Sequence, residues 1–212
     1  CLHLDLEPEP GCLLQRSQDM VSLFEDHLLS PDMEDVVRRH LRVCHDTCHA
    51  SVMFESQANA IEAYDRAGIS IGKVQVSSAL QARGPLSGPM KDDLMAFAEP
   101  RWLHQCGCHD GNRFMFHEDL PAALASGPLG PEEVMRVHFH VPVHLESIGE
   151  LETTQDDLVE AIRLLAGRES LTDWEVETYA WGVLPKRFDL QDLASGIADE
   201  IRWTRSTLEQ YS

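Results

Sequence analysis

Short stretches in which apolar and polar residues alternate are followed, again and again along this chain, by stretches whose apolar residues recur every three or four positions. The first period is that of a strand with one buried face, the second that of an amphipathic helix. Residues 2–6 read as a strand that ends in Glu7-Pro8-Glu9-Pro10-Gly11, where two prolines stop backbone pairing. Ser17 caps a helix to about residue 29, with Met20, Val21, Phe24 and Leu28 on one face. Ser30-Pro31 opens a second helix, to about residue 40. Residues 41–44 form the next strand and run into His45-Asp46-Thr47-Cys48-His49. A helix over about 55–67 is stopped by Gly68, and residues 69–78 return as a strand.

The pattern then changes. Residues 83–89 are a Gly/Pro-rich loop and residues 90–97 a short helix. Residues 102–105 and 113–116 read as a hairpin around His109-Asp110-Gly111-Asn112, with a helical turn over 119–125. Regular alternation resumes with a strand over 136–143, which puts His138 and His140 on one face. A helix over 154–165 follows, with Thr154 and Asp157 at capping-box spacing. Residues 174–181 read as a strand carrying Glu175 and Glu177, and a last helix runs from about 190 to 203.

Strands alternating with helices predict a parallel sheet, with residues 2–6, 41–44, 73–77, 136–141 and 174–177 contributing strands. Right-handed crossovers place their C-terminal ends on one rim, where α/β folds carry their sites. A complete (β/α)₈ barrel takes about 250 residues. Roughly four βα units plus an insertion at about 81–134 therefore predict the C-terminal part of a single (β/α)₈ TIM-barrel domain. The first residue, Cys1, begins mid-pattern, which points to upstream sequence.

Charge narrows the partners. A formal net charge of −19 with scattered basic residues excludes a nucleic-acid surface as the primary one. No apolar run approaches the roughly 20 residues that span a bilayer, so direct membrane insertion is not expected. None of the six cysteines forms a C-x-x-C pair, which leaves a reducing cytoplasm as the default location.

The polar residues at strand ends carry the candidate chemistry. Asp46 and His49, three apart after a strand, aim at one ion, or else Asp46 caps a helix and His49 packs. His138 and His140 present two imidazoles from one face, the alternative being the polar side of an edge strand. Glu175 and Glu177 put two carboxylates on one face, and such groups need a cation or arginine if buried. The rings after them, Tyr179 and Trp181, either floor a pocket or pack in the core. Of Glu7 and Glu9, one suits a ligand and the other an ion-pair partner. Oxygen and nitrogen donors without an obligatory thiolate suit Zn²⁺, Mn²⁺, Co²⁺ or Mg²⁺, and the histidines count against Mg²⁺.

The segment Val43-Cys44-His45-Asp46-Thr47-Cys48-His49-Ala50 resembles the D-T-C-H-A strand end of endonuclease IV, within the xylose-isomerase-like superfamily. In that superfamily the metal ligands run as a Glu, an Asp-x-x-His, a later His and a final Glu. Here Glu7, Asp46/His49, His138/His140 and Glu177 follow that order. Residues 6–11, 73–80, 137–142 and 176–179 are similar to the ebo-cluster metabolite traffic proteins, EboE. The resemblance implies Glu7, Asp46, His140 and Glu177 as metal ligands, with Gln75 where sugar epimerases carry a histidine. It implies Glu7 and Glu177 as proton-transfer groups, and His49, His138 and Lys73 as substrate contacts. The implied activity is a metal-dependent sugar or sugar-phosphate isomerase or epimerase, possible partners being those of a metabolite-export pathway. The alternatives are a non-catalytic metabolite-binding or export component and a metal-dependent phosphoester hydrolase. The insertion and the missing basic surface depart from the small epimerases and from endonuclease IV respectively.

Overall fold

The computed structural model describes residues 2–177, 179–188 and 192–212. In chain order the elements are β1 (Leu4–Leu6), α1 (Ser17–Leu23), α2 (Glu34–His40), β2 (Leu41–Asp46), α3 (Thr47–Val52), α4 (Gln57–Arg66) and β3 (Ile71–Val76). Then come β4 (Leu80–Arg83), α5 (Gly88–Phe97), β5 (Cys106–His109), β6 (Phe114–His117), α6 (Leu120–Ala125) and β7 (Val134–Val137). The last are β8 (Ser147–Ile148), β9 (Leu151–Thr153), α7 (Gln155–Leu165), β10 (Asp173–Val176) and α8 (Leu193–Tyr211).

Two sheets organise these elements. One is parallel and four-stranded, in the order β1-β2-β3-β10. The other is antiparallel and six-stranded, in the order β6-β5-β7-β4-β9-β8. Among the described residues the parallel sheet is open, with β1 and β10 at its edges.

The parallel sheet has two unlike faces. Leu6, Val43, Val74, Val76, Trp174 and Val176 pack against Met20 of α1, Phe24 of the π-helical turn that follows it, Tyr64 of α4, Leu158 and Ile162 of α7 and Trp203 of α8. Strand alternation sends Glu7, Cys44, Asp46, Lys73, Gln75, Glu175 and Glu177 to the opposite face. Gly72 is required on that side, because a Cβ there would lie 2.0 Å from Asp5 Oδ1 and 2.9 Å from Arg42 Cδ. The register slips beside it, between Val43 and Cys44, so a glycine absorbs the irregularity.

Four of the five expected parallel strands are present, at β1, β2, β3 and β10. The fifth is corrected. Residues 134–137 form β7, antiparallel to both β4 and β5, and the backbone from His138 to His140 has left the ladder. Alternation of side chains carries no information on strand direction, so a buried antiparallel strand reads the same way. The hairpin forms from 106–109 and 114–117, not from 102–105 and 113–116. Strands β4, β8 and β9 lie in stretches read as loop or strand end. Thr154 does not cap α7 with its side chain, since its Oγ1 accepts from Ala79 N at 2.9 Å and so ties α7 to the start of β4. The last helix extends to Tyr211, and its expected start at residue 190 lies outside the described residues. Residues 179–182 form a 3₁₀ turn rather than continuing β10.

The junction of the two sheets positions the site. Val141 N donates to Ser78 O, just past β3, at 2.9 Å. Arg136 on β7 donates to Ser51 O on α3 at 2.9 Å and ion-pairs with Asp157 on α7 at 3.0 Å. The antiparallel sheet is thereby clamped to the C-terminal rim of the parallel one. No described helix is long and apolar enough to cross a membrane, and the five described cysteines are free thiols.

Candidate metal centre

Asp46 ends β2 and begins α3, and its two oxygens do different things. Oδ1 accepts from His49 N at 2.9 Å, capping the helix, and from Ser77 Oγ at 2.7 Å. Oδ2 is buried, receives no hydrogen bond, and lies 3.8 Å from His49 Nε2. The two readings of this motif, cap and ligand, are therefore both satisfied in one side chain. His49, His140, the backbone and Ser77 hold the carboxyl well below the usual range, against the effect of burial.

The imidazoles are oriented from behind. Pro8 O has no proton to give, so His49 Nδ1, 3.0 Å away, carries the hydrogen and donates it. The Nε2 lone pair of His49 then faces inward. His138 Nδ1 lies 3.0 Å from Gln105 Oε1, which assigns its hydrogen in the same way. The two Nε2 atoms meet at 3.1 Å. Two lone pairs at that distance repel unless a proton or a metal ion lies between them. Burial and the neighbouring imidazoles push His138 well below the ordinary histidine value, which disfavours the proton. Burial likewise lowers His140 to about 4.

The carboxylates converge from the two edges of the sheet. Glu7 follows β1 and Glu177 follows β10, yet each places an oxygen within 4.8 Å of Asp46 and of the other. Burial, Asp46 and Glu7 raise Glu177 to about 8, and burial and Asp46 raise Glu7 as well. Without a cation, these three groups do not all ionise at neutral pH. Glu177 Oε2 lies 3.3 Å from His140 Nδ1, and Glu7 Oε1 lies 3.5 Å from His49 Nδ1. Gln75 pairs in register with Asp46, and its buried Oε1 receives no hydrogen bond.

The expected site residues thus separate into two groups. Glu7, Asp46, His49, His138, His140 and Glu177 come together, with Gln75 on the same sheet face. Lys73 does not join them: its Nζ is 2.8 Å from Glu175 Oε2, and neither residue lines the cavity over the cluster. Glu175, the first of the paired carboxylates, is accounted for by that ion pair. Trp181 packs on Gly196 of α8 rather than flooring the cavity; Thr178 and the Tyr179 side chain lie outside the described residues.

Two contributors, Cys48 and Gln105, escaped the sequence reading. Buried Cys48 offers a sulfur within 4.8 Å of ligand atoms of His138 and His140. Its place between Asp46 and His49 was the available signal, because the first turn of α3 brings it to the junction with β7. Glu9, weighed with Glu7 as ligand or ion-pair partner, forms a second group with His49 and His138. Gln105 orients His138 from a segment read as strand, with no sequence signal for that role.

The donor set fits a divalent ion. Imidazole nitrogens and carboxylate oxygens lie within reach of one another in overlapping groups, and the buried Asp46 Oδ2 and Glu177 Oε2 among them receive no hydrogen bond. Above them opens a cavity of about 580 Å³, lined by Glu7, Glu9, His49, His138, His140 and Glu177 and also by residues 101–103 and Gln105. No protein-family model, no curated protein and no solved structure matches the chain.

Proposed function

We propose that this chain is the C-terminal part of a xylose-isomerase-like (β/α)₈ barrel and that its rim carries the metal centre of an isomerase or epimerase. The substrate class is a small α-hydroxy carbonyl compound, a sugar or sugar phosphate. The observation that carries this reading is the convergence of Glu7, Asp46, His49, His140 and Glu177 under one open cavity. The fold proposal is supported by a parallel sheet with helices on one face and polar residues on the other, open at both edges among the described residues.

Asp46, His140, Glu7 and Glu177 would hold the ion, with Gln75 and His49 beside them. A divalent ion bound there supplies Lewis-acid polarisation of a carbonyl and its neighbouring hydroxyl. The protein's own part is proton transfer. Glu7 and Glu177 approach from opposite edges of the sheet and suit the removal and return of an α-proton. His49 and His138, fixed by Pro8 and Gln105, orient a substrate hydroxyl.

One observation favours a second reading, phosphoester hydrolysis. The groups Glu7/Asp46/Glu177 and Glu9/His49/His138 share no residue, which leaves room for two ions clamping one phosphate. Metal stoichiometry and α-proton exchange decide between these. Wild-type protein should retain metal through dialysis, and Glu177→Ala should lose most of it while Glu152→Ala does not. Exchange of the α-proton in ketoses or their phosphates, abolished in Glu7→Gln, supports the isomerase. Phosphoester hydrolysis without exchange supports the hydrolase. Equal metal content in all variants defeats the metal reading and leaves a metabolite-binding or export component.

A further inference from the structure

The loop between α5 and β5 enters the cavity wall with three consecutive side chains, Arg101, Trp102 and Leu103. Its backbone is fixed on both sides of them. Arg101 N and Trp102 N donate to the Glu99 carboxylate at 2.9 and 3.1 Å. His104 N donates to Asp119 Oδ1 at 3.0 Å, and the buried His104 ring stacks on Phe139 with centroids 5.4 Å apart. Gln105 O then accepts from His138 N at 2.8 Å. The loop is therefore tied directly to the segment that carries the histidines.

Two apolar side chains on a loop held this firmly would ordinarily be turned inward. Trp102 is instead 52% exposed and Leu103 63% exposed, and both line the cavity whose floor is polar. Adjacent exposed apolar groups on a pre-organised wall are the pattern of a ligand contact. Arg101 adds charge. It is the one lysine or arginine among the described residues lining this cavity, where Glu7, Glu9 and Glu177 also stand. Its guanidinium nevertheless makes no hydrogen bond or ion pair with another described residue. Glu7 and Glu177 are engaged with His49 and His140 instead, and Glu9 Oε2 lies 3.5 Å from Cys12 Sγ. A guanidinium fork left open over a site is suited to a carboxylate or phosphate.

We propose that Arg101, Trp102 and Leu103 form the specificity wall of this cavity and that its substrate carries an anionic group, phosphate or carboxylate, at the end that meets Arg101. The inference rests on the reading of the cavity as a substrate site. It narrows that reading from neutral sugars and polyols to acidic ones. Trp102 and Leu103 cover the C–H face of the carbon chain, and Arg101 pairs with the terminal anion.

Calorimetric titration of the purified protein with four probes tests it: D-fructose 6-phosphate against D-fructose, and D-glucuronate against D-glucose. At least one anionic probe should bind about ten-fold or more tightly than its neutral partner, as a charge-assisted hydrogen bond implies. Which pair discriminates separates phosphate from carboxylate. In Arg101→Gln the ratio should fall to near 1, and Trp102→Ala should weaken the anionic probe while keeping the ratio. Metal content and α-proton exchange are read on the same samples. A ratio that survives in Arg101→Gln, or no preference for either anionic probe in wild type, overturns the inference. Loss of metal and exchange with an Arg101-dependent ratio intact would instead overturn the isomerase reading alone.

Discussion

Asp46 shows how one side chain serves two levels of structure. Its Oδ1 is bound to the His49 amide and to Ser77 Oγ, and its Oδ2 faces the cluster. Asp46→Asn keeps an acceptor for the cap but removes the charge, whereas Asp46→Ala removes both. We expect Asn to lose metal with thermal stability of the metal-free protein unchanged or raised, since repulsion with Glu7 and Glu177 is relieved. Ala should lose metal and also about 1 kcal/mol from the missing cap. Metal analysis and melting curves on both variants check this. Glu177 gives a pH dependence. Its raised value of about 8 keeps it largely protonated at pH 7 in the metal-free state, so an ion must displace that proton. Metal affinity should rise as pH increases from 6 to 8. Titrations in buffers of different ionisation enthalpy should register proton release at pH 7, and Glu177→Gln should reduce it.

Helix α8 holds together the two segments that follow the ligands. Glu200, 1% exposed, accepts from Val143 N at 3.1 Å, three residues past His140. It also accepts from Trp181 Nε1 at 2.6 Å, four residues past Glu177. Gly196 permits the contact, because a Cβ there would lie 2.1 Å from the Trp181 ring. Burial raises the Glu200 pKa despite these two donors. A carboxyl whose folded value exceeds its unfolded one is released first in the unfolded state. Its contribution to stability is complete below the ordinary carboxylate value and is lost as pH rises through the folded one. The melting temperature of Glu200→Gln should therefore fall less steeply with pH than that of wild type, starting from about pH 4.5. Parallel slopes would show that the carboxyl does not titrate in this way.

At the scale of the molecule, the parallel sheet ends, among the described residues, in two unpaired edges. Beyond β10 lies an apolar groove of about 630 Å³ formed with α8, including Trp174, Val176, Ile197, Ile201 and Leu208. Beside β1, Leu2 and Leu4 are exposed at 88% and 59%. Open edges flanked by apolar groups template further pairing. The isolated 212-residue chain should therefore associate at micromolar concentration in sedimentation velocity runs. A single monomeric boundary together with cooperative unfolding would count against an incomplete barrel.

The four parallel strands and the helices that cover them were legible along the chain, because each is a local period bounded by its own stop signals. The Asp46-x-x-His49 pair was legible for the same reason: one turn at a strand end contains both groups. Strand direction was not. The stretch ending in His138 and His140 alternates as a parallel strand would, yet hydrogen bonds to β4 and β5 make it antiparallel and release the histidines onto the rim. Nor was the separation of Lys73 from the cluster, decided by an ion pair to Glu175, 102 residues later in the chain. The inward lone pairs of His49 and His138 depend on Pro8 and Gln105, and the exposure of residues 101–103 depends on anchors at Glu99, Asp119 and Phe139. Local sequence determined which segments are strands and helices, since periodicity and capping act over a few residues. Tertiary structure alone decided which polar groups share a site, because burial and long-range pairing set the orientation of each donor.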